Sequence, residues 1–119
     1  LAAAPAAAQE GDAADAAMRQ LAQRSGCFAC HHIDPGGQGP DGLAPIGPAW
    51  RDVSVKYAAD RSMEDRLVAT VLGGSTPQLS HWKGRAGAGG ATMPPNQVAI
   101  SREDARALVR WILALGPRP

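Results

Sequence analysis

Residues 26–32, with the sequence GCFACHH, contain both cysteines of the chain and two of its three histidines. A Cys-x-x-Cys pair fits four uses: a structural disulfide, a redox dithiol, part of a zinc site or, because His31 directly follows Cys30, two thioether anchors for a haem. Each use requires a different fold around the thiols. The remainder of the sequence therefore has to distinguish among them.

The chain is short and poor in aromatic side chains. It has 119 residues, with one Phe, one Tyr and three Trp. A chain of this size buries only about two thirds of its unfolded surface, and a large apolar prosthetic group would supply much of the missing core. We predict an Ala/Pro-rich extension or tether at residues 1–11, followed by a single domain at residues 12–119.

The net charge is only +1, from 12 basic and 11 acidic residues, which argues against a nucleic-acid-binding surface. Residues 67–102 contain no acidic residue. Such a stretch fits a basic face toward an acidic docking surface or a bound anionic group, or else a solvated loop. The sequence contains no run of about 18 apolar residues, so no membrane span is predicted. The Ala-rich start resembles the tail of an export signal or a spacer.

Apolar periodicity and cap residues predict four helices and no strand, so the predicted fold class is all-α. The helices are residues 12–24 with Asp12 as N-cap, a short helix after Pro48, a helix from a Ser62 capping box to Gly73, and a helix from a Ser101 capping box to Gly116. Arg102, Arg106 and Arg110 should form a solvated stripe on the last helix. Residues 34–48 hold four prolines and five glycines and predict a long loop.

The predicted fold separates the four uses of the thiols. A redox dithiol normally lies where a strand meets a helix, and no strand is predicted. A closed zinc site needs a fourth ligand that only His32 or the distant His81 could provide. A disulfide between residues three apart closes a very small loop and gains little stability. On a helical turn, Cys27, Cys30 and His31 would face one side of a porphyrin, with His31 ligating iron. His32 would point away from that iron.

Three methionines could supply a second axial ligand for the iron. Met18 and Met63 lie on apolar helix faces, where a role in the core is expected. Met93 follows a glycine-rich loop and precedes Pro94 and Pro95, which prevent a helix there, so its thioether could be held rigidly at a metal. Imidazole opposite thioether would occupy both axial positions and favour reduced iron.

The sequence is similar to the class I c-type cytochromes, especially the small bacterial periplasmic ones. The resemblance rests on GCFACH at 26–31, IGPAW at 46–50, GS at 74–75, Trp82, MPPN at 93–96 and RWIL at 110–113. It implies the cytochrome c fold, with four to five short helices and long loops around one haem, and with the terminal helices crossing.

The resemblance also implies roles for individual residues. One haem c would be bound covalently through Cys27 and Cys30, with His31 and Met93 on the iron. The carbonyl of Pro48 would accept a hydrogen bond from His31, and Asn96 would steady the loop of the methionine. Trp50 and Trp82 would lie near the haem propionates, or else be ordinary packing residues, and Trp111 would belong to the core. Where relatives usually carry an aromatic residue in the first helix, this chain has Ala22.

The resemblance implies a periplasmic one-electron carrier rather than an enzyme. Its partners would be redox proteins, with the chain a monomer or a subunit of a redox complex, without nucleic acid and without a membrane span. Two alternatives stay open at this stage: an electron-transfer subunit or domain of a larger redox enzyme, and a haem sensor or peroxidase in which Met93 is displaceable.

Overall fold

The computed structural model describes residues 6–39, 42, 46–75 and 92–119. It contains four α-helices, α1 (Ala6–Arg24), α2 (Trp50–Lys56), α3 (Met63–Gly73) and α4 (Arg102–Ala114), with a 3₁₀ turn at Cys27–Ala29. The described ranges contain no strand, and the predicted all-α class is confirmed.

Helix α1 begins earlier than predicted. Asp12 lies inside it rather than at its N-cap, and the helix extends back to Ala6. Alanine has the highest helix propensity, so an alanine-rich segment can continue a helix across a residue that often caps one. The helix therefore crosses the predicted boundary between residues 11 and 12, and that division of the chain stays a prediction.

Helix α4 packs against all three other helices. Its buried residues recur at three- and four-residue spacing and include Leu108, Val109 and Ile112, which is the periodicity of one helix face. Ala22 in α1 is fully buried. Trp111 of α4 is half-buried and donates its indole N–H to Asp15 of α1 at 3.2 Å, so it joins the first and last helices.

The two predicted capping boxes differ in outcome. The hydroxyl of Ser101 accepts from the Asp104 amide at 3.1 Å, which confirms the N-cap of α4. The predicted cap at Ser62 is wrong, because Ser62 has helical backbone angles and caps nothing. The carboxylate of Asp60 instead accepts hydrogen bonds from both the amide and the hydroxyl of Ser62.

The predicted solvated arginine stripe is partly wrong. Arg106 contacts Glu64 and Asp65 of α3, each at 2.8 Å, and Arg110 contacts Glu64 at 2.7 Å. Hydrogen bonds from Arg110 and then Arg106 lower the pKa of Glu64. These side chains form an ion-pair cluster between α3 and α4 in which Arg106 is half-buried, whereas Arg102 and Arg110 are exposed as predicted.

Candidate functional site

The Cys-x-x-Cys-His segment folds into a tight turn directly after α1. Gly26 has φ 83°, a left-handed conformation that glycine adopts without strain, and it ends the helix. The amides of Cys30 and His31 then both donate to the carbonyl of Cys27, at 3.2 and 3.0 Å. Cys27, Cys30 and His31 are half-buried within this single turn.

The imidazole of His31 is held in one orientation by the backbone of Pro48. Nδ1 of His31 lies 2.8 Å from the Pro48 carbonyl oxygen, which is the contact that the resemblance implies. Because a carbonyl only accepts, Nδ1 carries the proton and the lone pair is on Nε2. That tautomer leaves Nε2 available as a metal ligand.

The protonation state of His31 also suits a ligand. Burial lowers its pKa, the Pro48 carbonyl offsets part of that effect, and the neighbouring His32 lowers the pKa further. The neutral imidazole is therefore favoured, and it is the form that binds a metal. His32 itself lies against the loop, with Nε2 2.9 Å from the carbonyl of Gln38, in agreement with its predicted place outside the site.

Backbone hydrogen bonds fix the start of α2 against the turn. The amide of Gly47 donates to Cys30 at 2.7 Å, that of Trp50 to His32 at 2.8 Å, and that of Arg51 to Ile33 at 3.0 Å. These three bonds place the Pro48 carbonyl, which lies between them in the chain. The position of the Pro48 carbonyl, which accepts from His31, is thus determined by α2, the helix that follows Pro48.

Gly47 is a site residue that the sequence analysis missed. A Cβ atom at this position would lie 2.6 Å from Cε1 and 2.8 Å from Nδ1 of the His31 ring. Such distances are too short for any side chain, so only glycine allows the imidazole to reach Pro48. Its position directly before the acceptor residue was the available sequence signal.

Trp50 packs against the imidazole and is only 4% exposed. Its ring centroid lies 5.7 Å from that of His31, at an interplanar angle of 30°, and 5.3 Å from that of Phe28. It also meets Trp111 edge-on at 5.9 Å. The ring thus supports the His31 face of the site, and its contact with a propionate stays a prediction. Trp82 lies outside the described residues.

The thiols do not have the character of a redox dithiol. Burial raises the pKa of Cys27, whereas reactive dithiols depend on a lowered thiol pKa. Within the described ranges, no three His, Cys, Asp or Glu side chains are placed to share a metal ion. The raised pKa of Cys27 argues against the redox alternative.

Met93 belongs to a second group, built on the carboxyl end of α3. The Met93 amide donates to the hydroxyl of Ser75, and the Ser75 amide donates to the Met93 carbonyl, both at 2.9 Å. The side-chain amide of Asn96 donates to Val71 at 3.1 Å and to Pro94 at 2.9 Å. Hydrogen bonds therefore hold this segment both at Met93 itself and at the residues that follow it.

Gly74 is a second residue of this group whose role the sequence analysis missed. It has φ 84° and ψ 177°, a conformation that is essentially restricted to glycine. A Cβ atom there would lie 2.8 Å from the Met93 carbonyl oxygen and 3.0 Å from the Pro95 nitrogen. The glycine at the end of α3 thus permits the close approach of the methionine segment.

These residues are chemically suited to a covalently bound haem. They include two half-buried cysteines in one turn, a neutral imidazole with a free Nε2 lone pair, and a thioether on a segment fixed by backbone hydrogen bonds. An all-helical domain with this donor set is typical of a c-type haem protein.

Comparison with known proteins gives the same class. The family model described as Cytochrome c matches residues 16–116, so the chain belongs to the cytochrome c family. It is therefore a haem protein of electron transport with one covalently attached haem c. Within the described residues, no helix is long and apolar enough to cross a membrane.

Several relatives are similar over most of their length. Cytochrome c-551 of Allochromatium vinosum is 40% identical over 95 residues, which are 80% of this chain and 82% of the relative. Cytochrome c2 of Rhodocyclus tenuis is 37% identical, covering 80% of this chain and 88% of the relative. The crystal structure of Nitrosomonas europaea cytochrome c552 matches with a TM-score of 0.59 and 34% identity, covering 82% of this chain and 98% of that one.

Proposed function

We propose that the protein is a one-electron carrier whose haem is attached through Cys27 and Cys30 and whose iron is ligated by His31 and Met93. When bound, haem c supplies reversible one-electron chemistry between ferric and ferrous iron. The residues of the chain contribute attachment, ligand orientation and exclusion of other ligands.

The observation that carries the proposal is the fixed backbone of Met93. Ser75 bonds both its amide and its carbonyl, and Asn96 links the following residue to α3. A methionine on such a segment can stay at one position, so it need not leave the iron each time the haem is oxidised or reduced. This supports electron transfer at a closed site, and it argues against the sensor or peroxidase with a displaceable Met93.

On the other side, Pro48 and Gly47 determine how His31 is presented. The Pro48 carbonyl fixes the tautomer and increases the electron donation of the imidazole. The close approach of Gly47 leaves the ring little freedom to turn. A ligand that keeps one orientation in both oxidation states lowers the reorganisation that accompanies each electron transfer.

Export to the periplasm is part of this proposal. In the small bacterial cytochromes that the sequence resembles, covalent haem attachment is completed outside the cytoplasm. The partners would be a redox protein that donates the electron and another that accepts it. The same residues would serve if the chain were an electron-transfer subunit of a larger redox enzyme. Trp50 and Trp82 are assigned to the surroundings of the propionates, and Asn96 to the methionine segment.

Two measurements test the proposal. The intact mass of the exported protein should equal that of the chain plus one haem, and an apoprotein mass would contradict covalent attachment. In the ferric state, Met93→Ala should abolish the charge-transfer band between sulfur and iron.

Met18→Leu is the matched control, because Met18 is a half-buried methionine that packs against the core, and this variant should keep the band. Retention of the band in Met93→Ala would refute the ligation. Strong carbon monoxide binding by the unmodified reduced protein would favour the sensor instead.

A further inference from the structure

Arg51, the second residue of α2, joins three separate parts of the chain. Its Nε donates to Asp34 at 2.6 Å, in the segment that follows His31 and His32. Its Nη1 donates to the Leu115 carbonyl at 2.9 Å and lies 3.5 and 3.4 Å from the next two carbonyl oxygens. The Arg51 side chain is only 15% exposed, whereas that of Asp34 is 51% exposed, so the contact with the Leu115 carbonyl is better shielded from water than the ion pair.

The contact with Leu115 follows from the end of α4. The last carbonyls of a helix have no partner within the helix, and they carry partial negative charge. Helix α4 has no basic residue in its last turn, and Arg51 provides the missing cation from α2. A planar guanidinium can bond a carboxylate and a carbonyl at once, whereas an ammonium on one stem cannot reach both in the same way.

Arg51 is also close in the chain to the residues that orient His31. Its own amide donates to Ile33, and the amide of Trp50 donates to His32. The ring of Trp50 packs on the His31 imidazole. Pro48, whose carbonyl accepts from His31, lies two residues before Trp50 in the chain. A change in the position of the α2 start would therefore move the Pro48 carbonyl relative to Nδ1 of His31.

We propose that Arg51 is a positioning residue for the iron ligand His31. By binding both Asp34 and the carbonyl end of α4, it holds the start of α2 where Pro48 accepts the proton of Nδ1. The inference rests on the proposed function, in which His31 ligates the iron.

The test is the solvent exchange of the His31 Nδ1 proton, followed by NMR in the ferrous haem-containing protein. The rate is divided by that of the buried Val68 amide in α3, which corrects for changes in overall stability. Arg51→Gln should raise this ratio about tenfold, because it removes charge-assisted hydrogen bonds that restrain α2. Arg51→Lys keeps the charge and one contact, and it should give an intermediate ratio.

Arg106→Gln is the matched control, since it removes a partly buried arginine, 31% exposed, from the ion-pair cluster on the α3 side of α4. It should lower stability and leave the ratio unchanged. Equal ratios in Arg51→Gln, Arg51→Lys and Arg106→Gln would overturn the positioning role. If Arg51→Gln does not accumulate, a wild-type ratio in Arg51→Lys overturns it as well. A wild-type protein without an iron-bound imidazole signal would refute the proposed ligation itself, which is a distinguishable result.

Discussion

Ser75 and Met93 are joined by two hydrogen bonds of 2.9 Å, although they are 18 residues apart in the chain. One bond uses the Ser75 hydroxyl as acceptor and the other uses the Ser75 amide as donor. Because both involve the backbone of Met93, they fix the main chain at this residue and use none of its side-chain atoms. The thioether sulfur therefore remains available to bind a metal from a fixed position of the main chain.

Ser75→Ala should weaken this connection without removing it. The variant loses the acceptor of the Met93 amide and keeps the second bond, so we expect the free energy of unfolding to fall by about 1 kcal/mol. The ferric charge-transfer band should disappear at a lower denaturant concentration than in the wild type. Thr70→Ala is the control, because its hydroxyl bonds only the Arg66 carbonyl on the exposed side of α3. An equal shift of the band in both variants would contradict a specific role for Ser75.

Two adjacent glycines at the end of α3 provide a sharper comparison. Gly74→Ala combines a positive φ with a Cβ atom 2.8 Å from the Met93 carbonyl oxygen, and the backbone strain alone costs about 1–3 kcal/mol. Gly73 is helical and has no atom within 4 Å of a built Cβ. Gly73→Ala should therefore be neutral or stabilise by up to about 1 kcal/mol. Urea unfolding of the two haem-containing variants measures the difference, and similar stabilities would show that the close approach at Gly74 is unimportant.

The helices could be predicted because their signals are local. The buried stripe of α4 and its Ser101 cap occupy consecutive turns, so spacing alone identifies them. The start of α1 could not be placed, since alanine on both sides of Asp12 is equally compatible with helix. The predicted cap at Ser62 does not form because its hydroxyl, like its amide, donates to the carboxylate of Asp60 two residues earlier.

The site was predicted less completely than the fold. The Cys-x-x-Cys-His motif and the Met-Pro-Pro segment identified the candidate ligands, since residue type and spacing are visible in the sequence. The supporting residues Gly47, Gly74 and Ser75 act on segments 16 to 19 positions away. Such contacts depend on how loops approach helices in three dimensions, and no local pattern reports that distance.

Gly47→Ala should disturb His31 specifically. A methyl group 2.6 Å from Cε1 of the ring forces the imidazole away from Pro48 or moves the start of α2. We expect a lower yield of haem-containing protein and a higher reduction potential, because a His31 without its Pro48 hydrogen bond donates less electron density.

Gly37→Ala is the control for Gly47→Ala, since its Cβ atom would lie 2.8 Å from the ring of His32, which is not a proposed ligand. This variant should disturb the loop and leave the potential close to that of the wild type. Cyclic voltammetry of both proteins measures the effect. Equal potentials in the two variants would contradict the role assigned to Gly47.

The cluster between α3 and α4 predicts a loss of stability in acid. Hydrogen bonds from Arg110 and Arg106 lower the pKa of Glu64 in the folded protein below its ordinary value of 4.5. A lowered folded pKa contributes stability that is present above pH 4.5 and is lost as the pH falls through the folded pKa.

Glu64→Gln should therefore be less stable than the wild type at neutral pH, and the difference should shrink as the pH falls below 4.5. Urea unfolding of both proteins across this range measures it. Glu103→Gln is the control, because it neutralises an exposed carboxylate of α4 that makes no ion pair with the described residues. A Glu64→Gln difference that stays constant with pH would show that the arginines do not bind the ionised carboxylate, since only a group that titrates differently in the folded and unfolded chain can change the slope.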